Sequence, residues 1–192
     1  ANRLLRRCKD PEEDRELTDI RQQVLRMTSI IEQLLSFGRS SRRQKRCLKV
    51  STLVEKARSL LAEEGHTVSV SAGPEVELFG DPLSLEQALV NLLRNGCQAC
   101  PQGEVRISWH PDQQQLFILV DDAGPGVDKS RQKDIFEPFV SSKKPGEGSG
   151  LGLAIVRRIV REHDGEVTLE DSPLGGARFR LRFPLQQDGD NA

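Results

Sequence analysis

The sequence is poor in aromatic residues and has almost no net charge. It contains no tyrosine and a single tryptophan in 192 residues, and aromatic residues make up only 4% of it. Its 28 lysine and arginine residues nearly balance its 29 aspartate and glutamate residues, which leaves a formal net charge of -1. This balance excludes a generally basic nucleic-acid-binding protein and a long acidic disordered tail.

Long apolar segments and a secretory signal are also missing. The longest uninterrupted apolar run is residues 116–120, whereas a membrane-spanning helix needs ~20 apolar residues. The four cysteines are too sparse and irregular for a disulfide framework, which favours a reducing cytoplasm. They are Cys8, Cys47, Cys97 and Cys100. Because the chain begins with Ala1 in mid-pattern, we expect it to be a piece of a longer protein, whose other parts could anchor it in the inner membrane.

Charge is unevenly distributed along the chain. Residues 1–50 carry 13 basic and 7 acidic residues, and the remainder carries the compensating negative charge. Segment 36–50 holds six basic residues and no acidic one. Contact of this segment with a membrane or nucleic acid is one interpretation, but a solvated hinge is favoured because Phe37 is the one aromatic residue within it. We therefore predict a helical domain at 1–46, a second domain at 47–185 and a polar tail at 186–192.

The first domain has the pattern of a helical bundle. Asp10 and Pro11 form a helix start, and apolar residues then recur in steps of three and four. These residues are Leu17, Ile20, Val24, Met27, Ile31 and Leu34. Such a narrow seam is typical of a coiled coil or bundle, with residues 1–8 as the end of an antiparallel partner helix. The alternative is one amphipathic helix packed on the domain that follows.

The second domain alternates between helix and strand patterns. Helices are predicted at 51–65, 82–99 and 151–163, the first capped by Ser51 and the second by Asp81. The predicted strands are 48–50, 68–70, 76–78, 105–109, 116–120, 166–169 and 177–183. Because most strands are adjacent in sequence, we predict an α+β fold, a two-layer sandwich whose mixed or antiparallel sheet carries helices on one face.

Two asparagines stand four residues apart on the predicted helix 82–99. Asn91 and Asn95 therefore lie on one helix face. An amide on a mostly apolar helix costs free energy unless it is hydrogen-bonded or faces a site. Taken alone, the pair favours a cap or a buried hydrogen-bond bridge over a ligand site.

Two glycine-rich segments follow. Asp122, Gly124 and Gly126 end an apolar strand, where glycines allow close approach of a ligand and a carboxylate can accept a hydrogen bond from an amine such as that of adenine. An ordinary turn is the alternative. Segment 148–153 leads into a helix, where free amides and the helix dipole favour phosphate. It matches neither the P-loop nor the dinucleotide-binding signature.

The order and spacing of these segments resemble the catalytic region of bacterial sensor histidine kinases, in the superfamily of gyrase, mismatch-repair and heat-shock ATPases. Segment 91–95 resembles the N box of that family, 122–126 its D-x-G-x-G box, 135–139 its F box and 148–153 its G-x-G-L-G-L box. The resemblance covers residues 48–183 and implies a Bergerat-type ATP-binding fold. The F box and the end of the N box resemble the nitrogen-regulation and dicarboxylate-sensing kinases.

The resemblance implies ATP and Mg²⁺ as ligands and a role for each matching position. Asn95 would bind Mg²⁺ through its amide oxygen, and Asp122 would accept a hydrogen bond from the adenine amine. Asn91 stands where hydrolytic members of the superfamily have a glutamate base, which favours transfer over hydrolysis. Asn91 and Lys143, the latter on a lid at 141–147, are the predicted catalytic residues. The other predicted ATP-binding residues are Gly124, Gly126, Gly148, Ser149, Gly150, Leu151 and Gly152.

The implied activity is transfer of the ATP γ-phosphate to a histidine and then to an aspartate of a response-regulator receiver domain. The histidines of the chain are His66, His110 and His163, none of them in the predicted bundle. We therefore expect the acceptor to lie upstream and this chain to be unable to phosphorylate itself. The bundle resembles the dimerisation and phosphotransfer domain of the family, which implies a homodimer. No nucleic-acid partner is expected, and a membrane only through other parts of the parent protein.

Other functions remain open at this point. One is a hydrolysing ATPase of the same superfamily, which Asn91 disfavours because an amide cannot take a proton from water. Another is a non-catalytic module that binds nucleotide or only dimerises. Cys97 and Cys100 form a CxxC pair, but no second pair accompanies it, so a zinc or redox site is disfavoured.

Overall fold

The computed structural model describes residues 44–140 and 149–185. These residues contain seven strands and three helices. In chain order they are β1 (Arg46–Lys49), α1 (Val50–Glu63), β2 (Ser69–Ser71), β3 (Glu77–Gly80), α2 (Pro82–Ala99), β4 (Val105–Asp112), β5 (Gln115–Asp122), α3 (Gly152–Glu162), β6 (Glu166–Asp171) and β7 (Ala177–Pro184). The predicted bundle seam at 17–34, the predicted lid and the polar tail lie outside the described residues.

The sheets confirm the predicted mixed α+β architecture. Five strands form one sheet in the order β2-β4-β5-β7-β6, in which β2 and β4 are parallel and the other neighbours are antiparallel. A separate antiparallel pair, β1 and β3, joins Arg46 to Gly80 and Lys49 to Glu77. Strands were predicted at 48–50 and 76–78, but their pairing was not, because the alternation of apolar residues along a strand does not identify its partner.

One face of the five-stranded sheet builds the core. Alternate residues of β5, namely Leu116, Ile118 and Val120, are almost fully buried in one cluster with residues of all three helices. The intervening residues Phe117 and Leu119 on the other face are only half-buried. This period-two pattern places the described helices on one face of the sheet, as predicted.

The start of α2 was predicted correctly, whereas the start of α1 was not. Asp81 caps α2, since its carboxylate accepts a hydrogen bond from Ser84 N at 3.0 Å, and Pro82 occupies the first turn. α1 begins at Val50, with Lys49 at the cap position and no side-chain capping bond. The Ser51 hydroxyl instead donates a hydrogen bond to the Glu75 carboxylate at 2.9 Å. The predicted capping group therefore forms a tertiary contact and does not cap the helix.

Strands β4 and β5 are longer than predicted and form a hairpin. Pro111 suggested an end at Trp109, yet β4 continues to Asp112 and turns through Gln113, which has φ +53°. β2 pairs only with residues 106–108 of β4, so Pro111 lies on an edge, where a missing amide donor is tolerated.

His163 connects two helices at the base of the core. Its imidazole is 4% exposed, its Nδ1 lies 2.7 Å from Ile159 O, and its Nε2 accepts a hydrogen bond from Asp81 N at 2.9 Å. The geometry requires the Nδ1–H tautomer, which joins the end of α3 to the capping residue of α2.

Within the described residues, no helix has the length and apolar character needed to cross a membrane.

Candidate functional site

The two asparagines of α2 face the start of α3. Asn91 is 8% exposed, and its Nδ2 lies 3.5 Å from Gly152 O, at the long limit of a hydrogen bond. Asn95 is half-buried one turn later, and a Cβ added at Gly152 would lie 3.8 Å from its Nδ2. Neither amide is therefore held by a short bond to the start of α3. Both stand where a ligand at the start of α3 would meet them.

The N-terminus of α3 has no side-chain cap. Leu151 is the cap residue and offers no side-chain capping bond, and the first turn contains no acidic residue. Ser149 Oγ accepts a hydrogen bond from Leu151 N at 3.3 Å. Amides of this kind, together with the helix dipole, attract an anion, and the neighbouring asparagine amides add polar groups to the same place.

Gly150 brings the predicted F box against the glycine-rich segment. It has φ +66°, and its carbonyl oxygen accepts a hydrogen bond from Phe139 N at 3.0 Å. An added Cβ would lie only 2.6 Å from the Phe139 carbonyl carbon. Phe136 is buried edge-on against Phe179 of β7, with 6.3 Å between ring centroids. The F box thus packs on the sheet and supports the start of α3.

Asp122 lies at the end of β5 and faces the helices. It is 4% exposed, and its Oδ1 accepts hydrogen bonds from Gly124 N at 2.8 Å and from Ala177 N at 3.1 Å. A Cβ added at Gly96, the residue after Asn95, would lie 3.4 Å from Asp122 Cβ. Asp122 therefore lies beside the N box.

The two glycines that follow Asp122 have different roles. An added Cβ at Gly124 would lie 2.9 Å from Asp122 Oδ1 and 3.1 Å from Ala99 Cβ, so this position requires a glycine for close packing. Gly126 has φ +72°, where a side chain is strained. Both glycines shape the loop next to Asp122.

Asp121 points to the opposite face of the sheet and forms an ion pair that was not predicted. It is 1% exposed, and Arg178 of β7 donates from Nε at 2.7 Å and from Nη2 at 3.1 Å to its two oxygens. The hydrogen bond that Arg178 donates to Asp121 raises the pKa of Arg178. Ser172 Oγ also donates to Asp121, at 3.3 Å. Alternation along the strand was the available signal, since neighbouring strand residues face opposite sides.

Gly176 was also missed. It is buried in the turn before β7, its N–H donates to Asp122 O at 3.1 Å, and an added Cβ would lie 2.2 Å from Asp122 Oδ1. The glycine pair at positions 175 and 176, directly before an alternating strand, predicts a turn but not what the turn contacts.

The cysteine pair at the end of α2 is a packing feature. Cys97 and Cys100 are 5% and 8% exposed free thiols, and burial raises the pKa of Cys97. The described residues contain no cluster of three or more His, Cys, Asp or Glu side chains that could hold a metal ion.

Neither His66 nor His110 was a predicted site residue. His66 is half-buried after the end of α1, and His110 is exposed and stacks on Phe117, with 5.3 Å between ring centroids. Lys143 and Gly148 lie outside the described residues, so their roles stay predictions. The structure therefore brings together Asn91, Asn95, Asp122, Gly124, Gly150, Leu151 and Gly152 around the adjoining ends of α2, β5 and α3.

This arrangement has the chemistry of a nucleotide-binding site. It combines an anion-binding helix start, amide oxygens and a carboxylate that could accept a hydrogen bond from a base. A family model for histidine kinase-, DNA gyrase B- and HSP90-like ATPases matches residues 80–187, which is more than half of the chain.

Known proteins with similar sequences are named histidine kinases, and a solved ATP binding domain has a similar structure. The signal transduction histidine-protein kinase AtoS of Escherichia coli K12 is 32% identical over 194 residues, covering 97% of this chain and 32% of AtoS. The sensor histidine kinase CpxA of the same organism is 35% identical, covering 90% of this chain and 40% of CpxA. The crystal structure of the ATP binding domain of PrrB from Mycobacterium tuberculosis matches with a TM-score of 0.63 and 29% identity, covering 74% of this chain and 98% of that domain. The chain thus spans a third to two fifths of the full-length relatives.

Proposed function

The chain belongs to the family of histidine kinase-, DNA gyrase B- and HSP90-like ATPases, and we propose that it is the Mg-ATP-binding catalytic portion of a sensor histidine kinase. The observation that carries this proposal is the meeting of three elements at one place. Asn91 and Asn95 of α2 face Gly152 at the start of α3, and Asp122 at the end of β5 stands beside them. The solved PrrB relative is described as an ATP binding domain, which is consistent with this ligand.

Each side of the site would bind a different part of ATP. Asp122 would accept a hydrogen bond from the adenine amine, and Gly124 and Gly126 would let the loop approach the base. The amides at 149–152 would bind the phosphates at the start of α3. Lys143 and Gly148 are proposed to add a cation and a further amide to the phosphate site.

Asn95 is the residue proposed to hold Mg²⁺. Its amide is half-buried, and no short bond ties it to the start of α3, so its oxygen is free to turn toward a cation beside the phosphates. Mg²⁺ is usually held in such sites by one or two protein oxygens together with phosphate oxygens and water. When bound, the ion would neutralise phosphate charge during transfer.

The amide of Asn91 favours transfer over hydrolysis. A water-activating base must accept a proton, and an amide has almost no basicity. Asn91 is buried beside Gly152, which supports a role in orienting groups near the phosphates. Its proposed contribution is positioning, which is the main source of catalysis in phosphoryl transfer.

The rest of the proposed reaction involves groups outside this chain. The γ-phosphate would go to a histidine of the parent protein and then to an aspartate of a receiver domain in a response regulator. The bundle predicted at 1–46 would form a homodimer. We propose a cytoplasmic location for this portion, with any membrane anchor elsewhere in the parent.

A phosphorylation experiment tests this proposal. The chain and a version extended upstream through the predicted acceptor helix are each incubated with Mg-ATP labelled on the γ-phosphate. Acid-labile, alkali-stable label on the extended version alone is expected, because phosphohistidine has that stability. An Asn95→Ala variant of the extended version should lose the label, whereas Gln98→Ala, an exposed change one turn away, should retain it.

The other outcomes identify the rival functions. Free phosphate without labelled protein would favour a hydrolysing ATPase of the same family. Neither label nor phosphate release, with dimerisation unaffected by nucleotide, would favour a non-catalytic module.

A further inference from the structure

The two oxygens of the Asp122 carboxylate are not equivalent. Oδ1 accepts hydrogen bonds from two backbone amides, Gly124 N at 2.8 Å and Ala177 N at 3.1 Å. Among the described residues, no hydrogen bond reaches Oδ2. A carboxylate held in this way has one oxygen fixed by the protein and presents the other to a ligand.

One of the two amides that hold Oδ1 comes from a turn distant in sequence. The turn 172–177 connects β6 and β7 and closes on itself, with Ser172 N donating to Gly176 O at 2.9 Å and Gly175 N donating to Ser172 O at 3.0 Å. Gly176 N donates to the Asp122 carbonyl oxygen at 3.1 Å, directly before Ala177 N donates to the carboxylate. The turn thus holds both the backbone and the side chain of Asp122.

Gly176 is the position at which this contact permits no side chain. A Cβ there would lie 2.2 Å from Asp122 Oδ1, 2.5 Å from Gly124 N and 2.6 Å from Asp122 O. Asp122 Oδ1 and Gly124 N form one of the bonds that hold the carboxylate, and Asp122 O accepts the bond that holds its backbone. Gly124 N and Asp122 O are backbone atoms that cannot rotate away. By contrast, a Cβ at Gly175 would meet nothing within 4 Å, although its φ of +100° would be strained.

The same turn is held from the opposite face of the sheet. Ser172 Oγ donates to Asp121 Oδ1 at 3.3 Å and accepts from Leu174 N at 3.1 Å. Arg178, which follows the turn, forms a two-bond ion pair with Asp121. Two consecutive residues of β5 therefore hold the turn. Asp122 does so on the face of the sheet that carries the helices, and Asp121 does so on the opposite face.

From these contacts we propose that the turn 172–177 sets the orientation of the Asp122 carboxylate and that Gly176 is a positioning residue for recognition of the adenine amine. The turn holds Oδ1 so that Oδ2 meets the base. Hydrogen bonds among Asp121, Ser172 and Arg178 hold the turn in position against β5. This inference rests on the proposed binding of ATP and deepens it by naming what makes that site selective for adenine.

The test compares ATP with inosine triphosphate, which has a carbonyl oxygen in place of the adenine amine. Affinities of the whole chain are measured by calorimetry with Mg²⁺ present. The wild type should bind ATP more tightly by about tenfold or more, because a site built for a hydrogen bond rejects the analogue that lacks the donor. Gly176→Ala should weaken ATP binding and bring the ratio of the two affinities toward one.

Gly175→Ala is the matched control. It adds the same methyl group one residue earlier and should lower the melting temperature through its strained φ while keeping the wild-type affinity ratio. If the preference for ATP over inosine triphosphate disappears in Gly176→Ala but not in Gly175→Ala, the cause is the orientation of Asp122 and not the stability of the turn. An unchanged ratio in folded Gly176→Ala would overturn the inference.

If Gly176→Ala does not fold, the same affinity ratio is measured for Arg178→Lys. It keeps the charge beside Asp121 but loses the two-bond geometry, so a reduced ratio would support the inference and a wild-type ratio would overturn it. Failure of the wild type to bind ATP would instead overturn the proposed function itself. ATP binding without discrimination in the wild type would overturn the assignment of Asp122, and the inference with it.

Discussion

At the scale of single residues, the site depends on which way identical side chains point. Asp121 and Asp122 are adjacent and both almost fully buried, yet one pairs with Arg178 and the other lies beside the N box. The pairing of Asp121 is consistent with the cost of burying an uncompensated charge. Backbone donors hold one oxygen of Asp122, and the other oxygen can accept one more bond.

Burial should make the thiol of Cys97 less reactive than the exposed thiol of Cys47. Burial raises the pKa of Cys97, whereas Cys47 is exposed on β1. Since the thiolate is the reactive form, Cys97 in the native protein should react with iodoacetamide about tenfold more slowly than Cys47 at pH 8, as followed by mass spectrometry of the labelled peptides. In urea the two rates should converge. Equal rates in the native protein would contradict the buried placement of Cys97 and reopen a redox role for the pair.

At the scale of elements, α2 connects the core to the site. Its start is held by Asp81 and, through Asp81 N, by His163 at the end of α3. Its end packs against the loop after Asp122, where Ala99 meets Gly124. The two asparagines between these anchors are therefore held at a fixed position relative to β5 and α3.

A side chain at Gly150 should destabilise the protein, because it would push the F box away from the start of α3. Gly150→Ala combines a strained φ with contacts of 2.6 Å and 2.8 Å to the Phe139 backbone. Gly65→Ala, the matched control, has φ +85° and nothing within 4 Å. We expect the control to lower the free energy of unfolding by about 1 kcal/mol, and Gly150→Ala to lower it further and also to weaken ATP binding. Equal effects on unfolding in urea would argue against the contact with Phe139.

The ion pair between α1 and α2 should give a pH-dependent contribution to stability. A hydrogen bond from Arg94 lowers the pKa of Glu64 below its ordinary value of 4.5. The stabilisation is therefore present above pH 4.5 and is lost as the pH falls through the lowered pKa. Because both side chains are more than a third exposed, Glu64→Gln should cost only about 0.5 kcal/mol at pH 7.

Urea unfolding at pH 7 and pH 3.5 measures this effect. The difference between wild type and Glu64→Gln should shrink at the lower pH, whereas Glu63→Gln, on the exposed adjacent residue, should match the wild type at both. A difference that is the same at both pH values would show that the pair does not act through the charge of Glu64.

Several elements could be predicted from the sequence because local chemistry and tertiary contacts agree there. Asp81 and Pro82 start α2 as their residue types favour, and the glycine-rich segment 148–153 leads into α3 as expected. The sequence could not reveal that Ser51 would bind Glu75 instead of capping α1, since the two residues are 24 positions apart. Nor could it show that Gly176 would lie against Asp122, because that contact joins the ends of two different strands.

At the scale of the whole molecule, the chain combines a basic first segment with an acidic remainder. Residues 1–50 carry the excess of positive charge, and the domain that follows carries the excess of negative charge. The family match begins at residue 80 and the relatives extend well beyond this chain. The described residues therefore supply most of the proposed nucleotide site, and Lys143 and Gly148 lie outside them.

The proposed dimer can be tested through the predicted seam. Val24 lies at its centre, between Ile20 and Met27. Val24→Asp would bury an unpaired charge in a dimer interface and should shift the mass measured by light scattering toward the monomer. Arg21→Asp, a change of charge outside the seam positions, serves as the control and should leave the mass unchanged. An unchanged mass for Val24→Asp would show that the seam packs within one chain.

The measurement that tests the central claim most directly is calorimetric titration of the wild type and of Asp122→Asn with Mg-ATP. The carboxylate of Asp122 is the proposed acceptor for adenine, and an amide oxygen accepts more weakly. We predict clear binding by the wild type and at least about tenfold weaker binding by Asp122→Asn, with the circular dichroism spectrum unchanged. Equal affinities for the two proteins, or no binding by the wild type, would contradict the account.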